Sequence, residues 1–171
     1  MSGETISAGI MIIGAVVGAA FLVTAILPAI FTAAGTFGTV AHTADEQMRT
    51  DFEIIRAFTP SDSANGQNPV QVTVWLKNTG QTKFDTREII ASDIFFGNDK
   101  GIVRLTHAGD GIHEGIGSFS FEIEGSNRAI WNSGDTLTIK TLRQKSLTSP
   151  YYFAFATPNG IRKAHTFGNG L

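Results

Sequence analysis

The chain has 171 residues, with 13 lysines and arginines against 15 aspartates and glutamates, a formal charge of -2, and no cysteine. The basic residues are scattered and build no field for attracting phosphates, which argues against nucleic acid as a partner. Without cysteine there are no disulfides, thiolate metal sites or cysteine nucleophiles, so any folded domain is stabilised by its core alone.

Residues 5–44 contain no lysine, arginine, aspartate or glutamate. Ile6 to Ile26 alone supplies the roughly 20 apolar residues a helix needs to cross about 30 Å of hydrocarbon. The segment is expected to be retained as an anchor. It lacks the basic n-region of a signal peptide, and its apolar run outlasts a usual h-region. With no lysine or arginine before Arg49, charge sets the orientation weakly. The later sequence, rich in Thr, Asn, Gly and Ser, is placed outside the cytoplasm. Gly14-Ala-Val-Val-Gly18, with Ala15 and Ala19 beside it, forms a small-residue stripe that allows close helix packing in lipid.

Pro28 removes the hydrogen bond to Thr24 and is expected to end or kink the helix. Yet Leu27, Phe31, Ala34, Phe37, Ala41, Ala44 and Met48 continue an apolar stripe at helical spacing. A helix from about Thr5 to Arg49 reaches roughly 65 Å, about twice the hydrocarbon thickness. The protruding part, carrying Phe31, Phe37 and Met48, needs cover, most economically from another copy of itself. The expected organisation is a transmembrane and assembly helix over 1–49 and an extracytoplasmic domain over 50–171.

Beyond Asp51 the pattern becomes alternation. Val70, Val72, Val74 and Leu76 oppose Gln71, Thr73, Trp75 and Lys77, which marks a half-buried strand. Similar runs lie at 52–58, 89–96, 102–106, 118–124, 136–140, 151–156 and 161–167. Turn sequences such as Asn65-Gly66, Asn78-Thr-Gly80 and Pro158-Asn-Gly160 separate several of them. About eight antiparallel strands in an all-β, immunoglobulin-like sandwich are expected, giving an α+β layout with the long helix first.

Chemistry-bearing motifs are sparse. His107, Asp110, His113 and Glu114 place four ligand-type side chains in eight residues, but Gly109, Gly111 and the adjoining Gly115 favour a connecting loop over a metal site. Asp51 and Glu53 flank Phe52 and are expected to be structural or solvated rather than a catalytic pair. Trp75, on the more polar strand face, is a candidate partner contact, with a core tryptophan as the alternative. The run Tyr151-Tyr-Phe-Ala-Phe-Ala is apolar on both faces and is expected to be central or covered. No cofactor and no enzymatic activity are expected.

Three segments carry a resemblance: Met1-Ser-Gly-Glu-Thr-Ile-Ser leading into the helix, Thr50-Asp51-Phe52-Glu53-Ile54-Ile55, and Val74-Trp75-Leu76-Lys77-Asn78-Thr79-Gly80. In order and spacing they resemble the accessory protein G family of the archaellum, the archaeal flagellum. The resemblance covers most of the first 100 residues, and 102–171 holds no matching motif. It implies an extracytoplasmic β-sandwich on an N-terminal membrane helix. It further implies a stator component that self-assembles into a short filament and works with accessory protein F, which contacts surface-layer protein. Two rival readings are a pilin- or archaellin-like filament subunit with a helical core, and a membrane-anchored enzyme or ligand- or metal-binding domain using His107 to Glu114.

Overall fold

The computed structural model describes residues 2–60, 69–109, 115–125, 128–144 and 146–169. The chain divides into two compact units, Met1–Ala44 and Asp45–Leu171.

The first unit lies within helix α1, Ser2–Arg49, which runs unbroken for 48 residues with Pro28 inside it. Of the two outcomes expected at Pro28, an end does not occur, and the helix continues to Arg49 as the apolar stripe predicts. One proline deletes one bond of the ladder, and threonines brace the turns on either side. Thr24 Oγ1 donates to the Ala20 carbonyl at 2.8 Å, and Thr32 Oγ1 to the Pro28 carbonyl at 2.9 Å. Thr36, Thr39 and Thr43 likewise donate to the carbonyls of Thr32, Thr36 and Thr39. Their hydroxyls are satisfied within the helix, which leaves the methyl groups facing outward. Ile10, Met11, Phe21 and Phe31 are 67–76 % exposed. A helix apolar on every side is stable only when lipid or other helices cover it.

The second unit takes the last turn of α1 and the strands that follow. These are β1 (Phe52–Phe58), β2 (Val70–Asn78), β3 (Phe84–Asp85), helix α2 (Thr86–Ala91), β4 (Asp93–Asn98) and β5 (Gly101–His107). Then come β6 (Ser118–Glu124), β7 (Ile130–Trp131), β8 (Thr136–Arg143), β9 (Tyr151–Ala156) and β10 (Arg162–Phe167). Eight strands form one sheet in the order β1-β2-β8-β6-β5-β4-β9-β10, and β3 pairs with β7 separately. The sheet folds on itself as a sandwich, since Val72, Val74, Leu76, Leu137 and Ile139 from one half share a core with Ile94, Phe153 and Phe155 from the other. Pairing is antiparallel except between β5 and β6, which meet in parallel at Thr106↔Ser118 and His107↔Phe119.

The alternation expected for β2 holds, with Val70, Val72, Val74 and Leu76 buried. β9, apolar on both faces, is central, between β4 and β10. One expected strand is corrected: 89–96 divides into the end of α2 and the start of β4. Asp85 caps α2 by accepting from the Glu88 N–H while Glu88 accepts from the Asp85 N–H. That reciprocal capping box starts a helix despite the β-branched Ile89-Ile90.

An aromatic cluster centres the core. Phe52 meets Phe155 edge-on at 5.3 Å and Trp131 at 6.1 Å, and Trp131 meets Phe84 at 5.8 Å. Arg143 is fully buried. It donates to Thr59 Oγ1 at 2.9 Å and to the Pro60 carbonyl at 3.0 Å, and lies 5.0 Å from the centre of the Tyr151 ring. These contacts spread its charge over carbonyls, a hydroxyl and a π-face.

Candidate functional site

Among the described residues, a dense polar constellation surrounds the point where α1 ends and β1 begins. A helix leaves its last carbonyls without partners inside the helix, and here loops of the sandwich supply them. The Arg49 carbonyl accepts from the Gln81 N–H at 2.8 Å and the Thr82 N–H at 3.3 Å. The Asp51 carbonyl accepts from the Thr79 and Gly80 N–H groups at 3.1 and 2.8 Å. So close an approach requires glycine at position 80. A Cβ there would lie 2.3 Å from the Asp51 nitrogen and 2.6 Å from the Arg49 oxygen.

Side chains tighten the clamp. Buried Thr50 donates to the Glu46 carbonyl at 2.7 Å, lies 2.8 Å from the Thr82 hydroxyl, and accepts from Asn159 Nδ2 at 2.6 Å. Gln47 Nε2 donates to the Asn159 carbonyl at 3.0 Å. Asn78 holds the turn in shape, since its Nδ2 donates to the Thr82 and Trp131 carbonyls while its Oδ1 accepts from the Gly80 N–H. Asp51 accepts from Thr79 Oγ1 at 3.0 Å and pairs with Lys163 Nζ at 2.8 Å. The Lys163 ammonium holds the Asp51 carboxyl below the ordinary carboxylate range, against a smaller opposing desolvation. Phe52, the next residue, enters the aromatic cluster. The last turn of α1 is therefore fixed at once to the β2–β3 loop and the β9–β10 turn.

The other residues singled out in the sequence are dispersed. On α1, Gly14 and Gly18 have open space where a Cβ would stand, and Ala15 and Ala19 beside them are exposed. Phe31, Phe37 and Met48 are 71, 76 and 86 % exposed. At 3.6 residues per turn, Gly18, Ala25, Thr32 and Thr39 recur in seven-residue steps on the Gly14 side, whereas Phe37 and Met48 lie on another face. Trp75 is half-buried on the outward face of β2, across from Arg56 and Thr138, and the core tryptophan is Trp131. His107 packs beside Phe119 and Phe121, each 5.4 Å away. Asp110, His113 and Glu114 lie outside the described residues.

A family model described as archaeal-type flagellin matches residues 2–167. The chain belongs to the archaeal-type flagellin family. The family match takes in α1, the clamp and every described strand of the sandwich. A protein of Archaeoglobus fulgidus, described as uncharacterized, is 31 % identical over 166 residues, covering 95 % of this chain and 96 % of its own. Among solved structures, the archaellum periplasmic stator protein FlaG of Sulfolobus acidocaldarius superposes with a TM-score of 0.50 at 20 % identity. That match covers 69 % of this chain and 99 % of the solved one, and the two share a fold. The complex of FlaF and FlaG from the same organism gives a TM-score of 0.49 at 19 % identity, over 68 % of this chain and 87 % of that one.

In this flagellin-family chain the two motifs behind the resemblance, Thr50-Asp51-Phe52 and Asn78-Thr79-Gly80, bond directly to each other. The sequence marks the second only as a turn. Gln47, Thr82 and Lys163 carry no motif and come into view only through the fold, and Asn159 is marked only as part of the Pro158-Asn-Gly160 turn.

Proposed function

We propose that this protein is a non-enzymatic structural component of the archaeal motility machinery, a single-pass membrane protein whose sandwich lies outside the cytoplasm. It self-associates through α1 and acts as a stator. The observation that carries this reading is α1 itself: 48 residues, long and apolar enough to cross a membrane, with its apolar side chains exposed. Such a surface is covered by lipid over about 30 Å and by other helices beyond. Family membership and the fold shared with a periplasmic stator protein support the setting.

A stator must resist torque, which one helix in fluid lipid cannot do. Lateral packing through Gly14, Ala15, Gly18 and Ala19 within the bilayer, and through Phe31, Phe37 and Met48 beyond it, supplies the resistance. The clamp ties the helix end into the sandwich, where Trp75 offers a contact for a partner. By resemblance that partner is accessory protein F, with surface-layer protein behind it.

Deletion of the gene in its native host tests the function. Cells that keep surface filaments but fail to swim are expected. Loss of the filaments themselves would instead mark the chain as a filament subunit.

A further inference from the structure

Sheet edges keep unused backbone hydrogen-bonding capacity, and proteins usually blunt them. β10 is blunted by Arg162, Lys163 and His165 and is tied across to Asp51. β1 carries a register shift between Ile54 and Arg56. Among the described residues, the edge of β5 is protected only by Arg104, which is held by Asp93, and carries no register shift. β5 pairs with β4 throughout Gly101–Leu105, but with β6 only at Thr106 and His107. Among the described residues, no strand pairs with the other side of Gly101–Leu105, and Ile102 and Val103 there are 53 % and 56 % exposed.

The direction of the open backbone groups follows from one bond. The Thr106 N–H donates to the Gly117 carbonyl, on the β6 side. Strand alternation then sends the N–H and C=O groups of Arg104 and Ile102 to the same side, where β6 no longer runs alongside. Beside this edge lies a cleft of about 290 Å³ lined by Phe96, Val103, Leu105, Ile116, Leu142 and Leu147.

We infer that this edge is a second self-association surface, on which β5 of another copy adds antiparallel across a two-fold axis. Open backbone groups in a row are matched by a strand. The charge pattern selects β5 itself as that strand. With Val103 opposite Val103 of the second copy, Ile102 faces Arg104 and Gly101 faces Leu105, so no like charges oppose. Arg104 is already neutralised by Asp93 at 2.6 Å. Ile102 and Arg104 then exchange both backbone bonds, twice by symmetry.

A five-residue overlap falls short of the roughly 1,000 Å² a free-standing interface needs. The inference therefore rests on the helix association proposed above, which raises the local concentration of the edges.

The chain has no native cysteine, so one engineered cysteine reports the contact cleanly. Opposed residues of a non-hydrogen-bonded antiparallel pair have Cα atoms about 4.5 Å apart, within disulfide reach. In the full chain under mild oxidation, Val103→Cys is expected to form covalent dimers about ten-fold faster than Lys77→Cys, an exposed control on β2. Ile102→Pro removes an open-side donor, and Ile102→Lys sets a charge opposite Arg104. Each should slow the Val103→Cys cross-link several-fold while the far-ultraviolet dichroism stays native. Cross-linking of Val103→Cys no faster than the control, or unaffected by both Ile102 substitutions, overturns the inference.

Light scattering of the Gly14→Leu, Gly18→Leu chain separates this failure from that of the helix reading. If that chain keeps its native mass while Val103→Cys still cross-links preferentially, the helix contact fails and the edge contact stands. If it dissociates while Val103→Cys shows no preference in the native helix, the edge contact fails and the helix contact stands.

Discussion

α1 and the sandwich solve opposite problems with the same amino-acid alphabet. The sandwich buries its large apolar side chains against one another, with Phe52, Trp131, Phe153 and Phe155 at 1 % exposure or less. α1 leaves Met11, Phe21 and Phe37 more than 70 % exposed. Backbone groups follow the same division. Within α1 the helix ladder serves them, and threonine hydroxyls donate to carbonyls of the preceding turn. Exposed large apolar side chains are concentrated in the helix, while the sandwich keeps most of its own in its core. The clamp at Arg49 to Phe52 is where the two kinds of stabilisation meet.

Substitutions that strike the sandwich should leave the helix contacts untouched. Phe52→Ala has the largest expected effect, since it empties a site bounded by Trp131 and Phe155. Phenylalanine truncation in a core costs about 3–5 kcal/mol, and for a domain of this size that lowers Tm by roughly 10–20 °C. Calorimetry of the full chain would read it. A loss near 1 kcal/mol would mean that the clamp, rather than the aromatic cluster, seats β1.

Gly80→Ala comes next. The added carbon meets backbone atoms of Arg49 and Asp51, neither of which has a flexible end to move aside. Overpacking of this kind costs about 1–3 kcal/mol. Protease digestion should reveal new cleavage between Gln47 and Asp51, and an unchanged digest would show that the turn is not needed to fix the helix end.

Acidification gives a smaller effect with a defined sign. Because Lys163 holds the folded-state carboxyl of Asp51 below its ordinary value, the stabilisation is fully present above about pH 4 and is lost as pH falls through the lowered value. Both side chains are about half exposed, so the pair contributes at most about 1 kcal/mol. Asp51→Asn should remove that component of the acid dependence of Tm. A variant with the same acid dependence as the parent would assign the effect to other carboxylates.

Much of the sandwich was legible because β2, β6 and the first part of β8 alternate, and because β9 is a short apolar run bounded by turns. The misreading of 89–96 arose because Ile89-Ile90 and Ile94-Phe95-Phe96 look like one β-prone run. The Asp85-x-x-Glu88 box was the overlooked signal. β3 and β7, two residues each, are too short for any periodicity to appear. Trp75 and Trp131 could not be ranked in advance, since β7 shows no pattern by which Trp131 would declare itself central.

For the clamp, Asn78-Thr-Gly80 was visible as a turn, but its target was not. Asn159 and Thr50 stand 109 residues apart, and only the β9–β10 turn brings them together. The small residues of α1 were legible as a stripe. Their division into faces needs the unbroken helix through Pro28, because a break there would have reset the phase between Gly18 and Thr32.

The smallest expected effect on the sandwich, and the largest on assembly, belongs to Gly14→Leu with Gly18→Leu. The most direct measurement compares the parent and this double variant in detergent by sedimentation velocity, with electron microscopy of the same samples. Dissociation of the parent's assemblies in the variant, with the Tm of the sandwich unchanged within about 1 °C, is the result expected if copies pack through this stripe. Assemblies of unchanged mass in the variant would contradict it.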